Sequence, residues 1–285
     1  MVIKIAPWKG RTNMTIEKRY KDDTGSWNTV NEKAESLKKF IRKTLLTIFL
    51  LSLVTFVFLV SFNPPLPQKD VILDKIIHQE PYQNKEIIEQ QIITKGDYRY
   101  KVIPQYSYEL YGLVVSQYNS ENFLDVRHKK DPAQIKDLCV VWGDNIVSGI
   151  YKDIEYKSGE FTCYAKPKEG VDWSAFSMQN LSNNHLVPAD DEIADKIRKA
   201  NIADQVYIKG YLSSYEIYDI NGDLISSRGT SIKREDSGNG ACETIFVTDF
   251  EILKGKNYLY RYVRDISGIT AVFSFLALAV VILFL

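Results

Sequence analysis

The chain has 285 residues, and its 36 basic and 36 acidic side chains leave no net charge at neutral pH. Lys and Glu alternate through the middle of the chain, so we expect no basic patch of the kind with which nucleic-acid-binding proteins neutralise phosphates. The hydrophobic residues, 45% of the total, are concentrated in two long apolar runs with a polar middle between them. The sequence therefore predicts a membrane protein with one folded domain outside the bilayer.

Residues 1–43 precede the first apolar run and contain eleven Lys or Arg and five acidic residues. The basic residues nearest the run are Lys38, Lys39, Arg42 and Lys43. Because basic residues beside a span are retained on the cytoplasmic side, we expect this tail to be cytoplasmic. From Asn31 onward, apolar residues share one helical face, which predicts a helix that continues into the run.

The first apolar run, residues 44–62, contains no charged side chain. At about 1.5 Å per residue, a helix of this length crosses a hydrocarbon layer of about 30 Å. The small-residue cleavage site of a signal peptide is missing after it, so we expect a retained anchor. Residues 63–86 begin with the proline-rich NPPLPQ and are predicted to be a linker.

Residues 87–254 are predicted to form a mainly β domain. Alternating apolar residues on both sides of Lys95-Gly96-Asp97 indicate a hairpin with strands at 87–94 and 98–103. Other runs rich in β-branched and aromatic residues predict strands at 108–118, 138–142, 161–165, 205–218, 224–233 and 244–253.

One helix is predicted inside this domain, at residues 188–201. Asp190 is placed to cap it, and its acidic residues come early and its basic residues late, as the helix dipole favours. Strands on both sides of a single helix resemble a small, partly open barrel of the oligonucleotide/oligosaccharide-binding (OB) kind. The predicted fold class is therefore a membrane-anchored α+β protein whose mainly β, partly OB-like domain lies between two transmembrane helices.

The last apolar run, residues 266–285, follows a linker at 255–265. Basic residues flank it on the side expected to face outward, namely Lys254, Lys256, Arg261 and Arg264. Either the stronger N-terminal cluster fixes a two-span hairpin, or the last run is a re-entrant or protein-buried helix. Twenty apolar residues favour a full crossing.

The three cysteines, Cys139, Cys163 and Cys242, all lie in the domain expected outside the cytoplasm, where disulfides form. Cys139 and Cys163 stand in predicted strands and could pair, while Cys163–Cys242 and Cys139–Cys242 are alternatives. Three buried free thiols are the remaining alternative. A thiol hydrolase built on Cys242 and His185 is a further hypothesis, although the surrounding residues match no motif of a cysteine nucleophile.

Two polar segments are candidates for binding a ligand or partner. Asn183, Asn184 and His185 precede the predicted helix and could hold a sugar, or serve as ordinary turn and cap residues. The segment from Arg228 to Glu243, which includes Asn239, could form an anion-binding loop or a long hairpin connection. The ligand spacing of a metal site is missing, and we expect no cofactor.

Several stretches carry a resemblance: YELYGLVVS from Tyr108, DLCVVWGDN from Asp137, LSNNHL from Leu181, KGYL from Lys209 and GNGACETIFVTDFEIL from Gly238. Together they are similar to bacterial inner-membrane proteins without an assigned activity. The resemblance covers residues 98–253 and implies a bacterial source and an extracytoplasmic domain. It implies no reaction and no catalytic residue.

The leading hypothesis is a non-enzymatic interaction or assembly module at the outer face of the bacterial inner membrane. Its partners would be the lipid bilayer and either a larger membrane complex or further copies of the chain, since small residues such as Gly268 and Ser274 offer faces for helix packing. The second hypothesis is a domain that senses a glycan or an anion through loops near His185 and Arg228. The thiol hydrolase is the third.

Overall fold

The computed structural model describes residues 19–21, 27–61, 65–121, 125, 131–233, 242–255 and 258–284. The chain divides into two compact units. One is formed by the terminal segments, 1–63 and 258–285, and the other by residues 64–257.

The terminal unit contains two long helices, α1 (Val30–Ser61) and α5 (Tyr258–Phe284), after a short hairpin of β1 (Arg19–Lys21) and β2 (Trp27–Thr29). Both helices are long and apolar enough to cross a membrane, over Glu32–Ser61 and Leu259–Phe284. The predicted helix from Asn31 into the first run is therefore confirmed, with its start at Val30.

The helices α1 and α5 pack against each other in opposite directions. Tyr260, early in α5, donates a hydrogen bond to the carbonyl of Leu59, late in α1. At the other end, Arg42 donates to the carbonyl of Val281 at 3.3 Å. The close approach needs a glycine, because a Cβ at Gly268 would lie 2.9 Å from the Phe56 ring. The pair exposes large apolar side chains, among them Leu51, Val54, Phe58, Phe273, Leu276 and Leu283.

The second unit is an α+β domain. Its strands are β3 (Tyr82–Asn84), β4 (Gln91–Lys95), β5 (Tyr98–Asn119), β6 (Lys136–Val141), β7 (Ile154–Gly159), β8 (Thr162–Pro167), β9 (Leu181–Pro188), β10 (Gln205–Tyr218), β11 (Leu224–Arg228) and β12 (Glu243–Lys254). Its helices are α2 (Asp74–His78), α3 (Asp144–Val147) and α4 (Asp191–Lys199).

Eight of the described strands form one mixed sheet in the order β11-β10-β12-β9-β6-β5-β3, with β4 also paired to β5. The pair β9–β12 is parallel, and the other pairs are antiparallel. The strand β10 pairs with β5 as well as with β12. Each of β5, β6, β9, β12 and β10 therefore pairs with two others of this group, while β7 and β8 form a separate hairpin.

The apolar side chains of these strands are buried in one core, which explains why these segments of the sequence form strands. All six residues of β6 are buried, and the apolar side chains that surround it include Leu110, Leu113, Trp142, Leu186, Ile208 and Phe250. The helix α4 contributes Ile193 and Ile197 to the same core. Its predicted cap is confirmed, because the Asp190 carboxylate accepts a hydrogen bond from the backbone N–H of Ile193 at 2.9 Å.

The strand predictions were right in type and less accurate in extent. The hairpin across Gly96 is confirmed, with β4 starting at Gln91 and Gly96 at φ 57°. The strands predicted at 98–103 and 108–118 are one strand, β5, in spite of Pro104. Pro104 stands where the register between β5 and β10 shifts, and a proline is tolerated at such a bulge.

Candidate functional site

Three neighbouring strands place a set of chemically active side chains side by side. In the antiparallel pair β6–β9, Asp137 lies opposite His185 and Cys139 lies opposite Asn183. In the parallel pair β9–β12, Asn184 is in register with Glu243, so the preceding residue, Cys242, comes beside Asn183. Because side chains two residues apart share a face, these five residues meet on one side of the sheet.

His185 is held by a buried carboxylate. Its Nδ1 lies 2.9 Å from Oδ1 of Asp137, a residue with no exposed surface. The amide nitrogen of Gln134 donates a hydrogen bond to the same carboxylate oxygen at 2.7 Å. The arrangement fixes the orientation of the imidazole ring, because Nδ1 faces Asp137 and the ring is itself buried.

The side chain of Cys242 is also close enough to the imidazole to affect its pKa. Burial alone would lower the pKa of His185, but the hydrogen bonds and charges of Asp137 and Cys242 outweigh it and raise the pKa from 6.5 to about 9. The imidazolium form is therefore stable next to the sulfur at neutral pH.

The sulfur of Cys242 has two further polar neighbours. The amide nitrogen of Asn183 lies 3.7 Å from Sγ, and the carbonyl oxygen of Phe161 accepts from Sγ at 3.5 Å. Cys242 is half-buried and is the free cysteine of the chain. Among the described residues, Oδ1 of Asn183 and Oδ2 of Asp137 are buried without a hydrogen-bond partner.

Phe161 covers this cluster from the turn between β7 and β8. Its ring centroid lies 6.0 Å from that of His185, in an edge-to-face arrangement. The guanidinium of Arg228 stands 3.8 Å from the same ring centroid, a cation–π distance. Phe161 has φ 61°, a left-handed conformation that is rare for a bulky residue, and such outliers concentrate at functional sites.

Arg228 belongs to a second buried cluster. Its Nε donates to Oδ2 of Asp131 at 3.0 Å, and the hydroxyl of Tyr215 donates to the same oxygen at 2.6 Å. Asp131 precedes β6 and Arg228 ends β11, so the ion pair ties the connection before β6 to the connection before β12. Both connections border the Cys242 cluster.

A disulfide joins Cys139 to Cys163, with Cα atoms 5.9 Å apart. It links β6 to the β7–β8 hairpin that carries Phe161. Of the pairings left open by the sequence, this is the one that the structure contains, and Cys242 stays a thiol.

Some of the candidate residues predicted from the sequence lie at the Cys242 cluster, and others do not. Asn183 and His185 meet at Cys242, whereas Asn184 donates to Ser182 and to the carbonyl of Leu138. Arg228 and His185 both contact the Phe161 ring. Asn239 lies outside the described residues.

The interpretation of LSNNHL as turn or loop residues is wrong. These residues form β9, a strand in the middle of the sheet, and its polar side chains are buried. Strand pairing is possible there because each polar side chain finds a partner within the sheet, such as Asp137 for His185. His185 therefore does not stand on a rim loop.

Sequence reasoning missed Asp137, Asp131 and Phe161. Asp137 carries one usable signal: it lies directly before the apolar run LCVVW, two residues from Cys139, and therefore on the same strand face. Asp131 and Phe161 come from connections whose approach to the site depends on the whole fold. Within the described part of the chain, no group of three or more His, Cys, Asp or Glu is placed to hold a metal ion.

Comparisons with protein-family models, curated proteins and solved structures found no match to this chain.

Proposed function

We propose that this protein is a membrane-anchored enzyme that uses Cys242 as a nucleophile at the surface of a small barrel. The observation that carries the proposal is the placement of Asp137, His185 and Cys242 on one face of three neighbouring strands, with Nδ1 of His185 2.9 Å from Oδ1 of Asp137. A nucleophile, a base that contacts it and a third group that orients the base are the arrangement found in cysteine and serine hydrolases on unrelated folds.

Each of these three residues has a role in acyl transfer. His185 is already protonated, so the Cys242 thiol loses its proton to water, and the thiolate beside the imidazolium attacks the carbonyl carbon of an ester, thioester or amide. The protonated His185 then gives its proton to the leaving group, which leaves an acyl thioester on Cys242 for water to hydrolyse. Asp137 holds the imidazole and stabilises its positive charge, as its 2.9 Å contact with Nδ1 allows.

Asn183 is suited to stabilise the oxyanion of the intermediate. Its amide nitrogen lies 3.7 Å from the sulfur, near where a carbonyl oxygen would stand during attack, and amide donors serve this purpose in other hydrolases. The side chain is buried, so it is held in place before the substrate arrives.

The position on the fold supports a binding role for this surface. We propose that the ring of pairings through β5, β6, β9, β12 and β10 is a closed barrel of the OB kind, with α4 between its third and fourth strands. Such barrels bind ligands across their second and third strands and the adjoining loops. The Cys242 cluster lies on β6 and β9, the second and third strands.

We propose that α1 and α5 anchor this domain as a two-span hairpin in the bacterial inner membrane, with the N-terminus in the cytoplasm and the barrel outside. The antiparallel contacts between α1 and α5 support a hairpin, and the basic residues before the first run support its orientation. An oxidising compartment also suits the Cys139–Cys163 disulfide. Exposed apolar side chains on both helices would contact lipid or a membrane partner.

Protease accessibility tests this topology. Added to sealed spheroplasts, a protease is expected to cut between residues 65 and 255 and to spare the tail before α1. If the barrel is protected while a detergent-permeabilised sample is cut, the orientation is inverted.

The rate of alkylation tests the nucleophile. Iodoacetamide reacts with thiolates, so Cys242 of the full-length protein in detergent should react at pH 6 at least about tenfold faster than Cys242 of His185→Gln. His78→Gln is the matched control, because His78 is an exposed histidine on α2, and its rate should equal that of the natural protein. An identical pH–rate profile for His185→Gln and the natural protein would contradict the proposal.

An acyl-transfer step can be measured directly. Incubation with p-nitrophenyl acetate should place an acetyl group on Cys242, detected by peptide mass spectrometry, and Asp137→Asn should slow the labelling. Cys242→Ala should abolish it without loss of the folded domain. The non-enzymatic assembly module stays a prediction of the sequence, and it predicts instead that Cys242→Ala leaves every phenotype of the protein intact.

A further inference from the structure

The disulfide and the free thiol lie in one row across the sheet. Cys139 on β6 stands opposite Asn183 on β9, and Cys242 at the start of β12 is in register with the same Asn183. Neighbouring strands are separated by about 4.8 Å, so the Cα atoms of Cys139 and Cys242 are about 10 Å apart. This distance exceeds the reach of a disulfide, so Cys139 and Cys242 are not direct partners in this fold.

Cys163 reaches this row of residues (Cys139, Asn183 and Cys242) from the β7–β8 hairpin. It is bonded to Cys139, and it belongs to the hairpin whose turn residue Phe161 accepts the hydrogen bond from Cys242 at 3.5 Å. The same hairpin therefore contacts both ends of the row. Residues 161 and 163 stand on the two sides of Thr162, so a small shift of the hairpin along the row would bring the sulfur of Cys163 toward Cys242.

Two features allow the hairpin to shift. It pairs with no other strand of the described structure, because β7 and β8 form a two-stranded sheet of their own. Its turn also carries backbone strain, since Phe161 is held at φ 61°. The hairpin is held in place by the disulfide, by the contacts of Phe161, by the packing of Tyr156 on the core, and by a hydrogen bond of 2.8 Å from the Ser158 N–H to the Ser116 hydroxyl on β5.

We propose that Cys139, Cys163 and Cys242 form a thiol–disulfide exchange centre in which Cys163 alternates between Cys139 and Cys242. This inference rests on the proposed reactivity of Cys242. The Cys242 thiol loses its proton to water, and its sulfur attacks Sγ of Cys163. A Cys163–Cys242 bond forms, the Cys139–Cys163 bond breaks, and the Cys139 thiolate takes up a proton from water.

The exchange needs no external oxidant, because one disulfide and one thiol are converted into another disulfide and another thiol. It regulates the site. In the second pairing the sulfur of Cys242 is bonded, so it cannot attack a substrate. The Cys139 thiol then lies on β6 two residues from Asp137. Both pairings contain one disulfide and one thiol, so their ratio follows from the relative stability of the two arrangements, and small thiols in the surrounding medium would speed the exchange without shifting it.

A variant that removes the native pairing tests the inference. Full-length Cys139→Ser is reduced, equilibrated in detergent with a mixture of reduced and oxidised glutathione, acid-quenched and mapped by mass spectrometry. Oxidised glutathione accepts the two electrons that are released when two thiols form a disulfide. More than half of the molecules are expected to contain a Cys163–Cys242 bond. Cys163→Ser, treated in the same way, should yield glutathione adducts of Cys139 and Cys242 without a bond between them, because these two stand too far apart.

Glutathione adducts alone on Cys163 and Cys242 in Cys139→Ser would overturn the exchange centre, provided that the fluorescence of buried Trp142 reports a folded domain. If the variant does not fold, the same question is put to the natural protein by slow alkylation at pH 8. A fraction of the molecules should then contain an alkylated Cys139 and a Cys163–Cys242 bond. Alkylation of Cys242 alone would overturn the inference. Failure of the proposed function is seen separately, as a pH–rate profile of Cys242 alkylation that does not depend on His185.

Discussion

Two buried carboxylates, Asp131 and Asp137, each bind a basic side chain that contacts Phe161, and the nature of this basic partner determines what the pair can do. Asp131 is held by the guanidinium of Arg228 and the hydroxyl of Tyr215, at 3.0 and 2.6 Å. Asp137 is held by His185, at 2.9 Å, and by the amide of Gln134. An arginine keeps its charge at every pH that proteins tolerate, whereas a histidine gains and loses a proton near neutrality.

The comparison separates a structural ion pair from a reactive one. The Asp131 cluster joins two connections of the domain and holds no group that titrates near neutral pH, since burial and the Asp131 charge raise the pKa of Tyr215 well above its usual value. The Asp137 cluster contains a histidine in contact with a thiol. The first cluster is therefore expected to matter for stability alone, and the second for reactivity and for the dependence of stability on pH.

The largest effect is expected from breaking the structural pair. Asp131→Asn leaves Arg228 without its counter-ion, and loss of one partner of a buried ion pair costs about 3–5 kcal/mol of unfolding free energy. Since a quarter of the Arg228 side chain is exposed, we expect the lower end of this range. Urea unfolding of the full-length protein in detergent, followed by tryptophan fluorescence, measures it.

The pH dependence of this loss is the control. The loss should be the same at pH 6 and pH 9, because the guanidinium of an arginine keeps its positive charge throughout this interval. Adding Arg228→Gln to Asp131→Asn should recover part of the loss, as in a double-mutant cycle. A loss that shrank as the pH rose would show that the two clusters are coupled and would undo the comparison.

The second effect is a dependence of stability on pH. The pKa of His185 is raised from 6.5 to about 9 by folding, so the folded state binds a proton more tightly than the unfolded state. The resulting stability is fully present below pH 6.5 and is lost as the pH rises through 9. The unfolding free energy should therefore fall by a few kcal/mol across this interval.

Asp137→Asn is the variant that identifies the source of this pH dependence. Without the carboxylate, the pKa of His185 should fall, and the curve of stability against pH between 6.5 and 9 should become nearly flat. His78→Gln should retain the slope of the natural protein, because His78 is exposed on α2. A slope that persists in Asp137→Asn would assign the proton to another group.

A smaller effect is expected from Tyr215→Phe. The substitution removes the hydroxyl that donates to Asp131 at 2.6 Å and keeps the ring, which packs 5.8 Å from the ring of Tyr100. A hydrogen bond to a buried charge contributes about 1.5–3 kcal/mol, so we expect a loss of about 2 kcal/mol, equal at pH 6 and pH 9. Thermal unfolding at the two pH values measures it. Cys242 alkylation should be unchanged, and a slower rate would place Tyr215 in the reactive cluster.

The amino-acid pattern predicts what depends on neighbours along the chain. The helix α4 follows from its cap and its apolar stripe, and the β4–β5 hairpin follows from the Gly96 turn. Asp137 and His185 are 48 positions apart, and Cys242 comes 57 positions after His185, so their meeting depends on the strand order β6-β9-β12. Local patterns carry no information on that order, which is set by how the core packs.

Strand β9 illustrates the same limit. A run of Ser, Asn and His before a helix is typical of a loop, because such side chains usually need water. Here they are buried because the neighbouring strand β6 supplies partners, such as Asp137 for His185 and the carbonyl of Leu138 for Asn184. These residues could be recognised as part of a buried site only if the strand beside β9 were known.

The smallest effect on the unfolding free energy is expected from a carboxylate outside both clusters. It serves as the reference for the losses expected at Asp131 and Asp137. Asp190 is exposed and caps α4 by accepting from the N–H of Ile193. Asp190→Asn removes the charge and keeps a good cap, because asparagine caps helices about as well as aspartate, so the unfolding free energy should change by less than about 0.5 kcal/mol. Circular dichroism in urea measures this change. If the loss matched that of Asp131→Asn, removal of any carboxylate would destabilise the domain equally, and the distinction between the buried pairs and the surface would be lost. A small loss, by contrast, assigns the costs at Asp131 and Asp137 to the cation that each one holds.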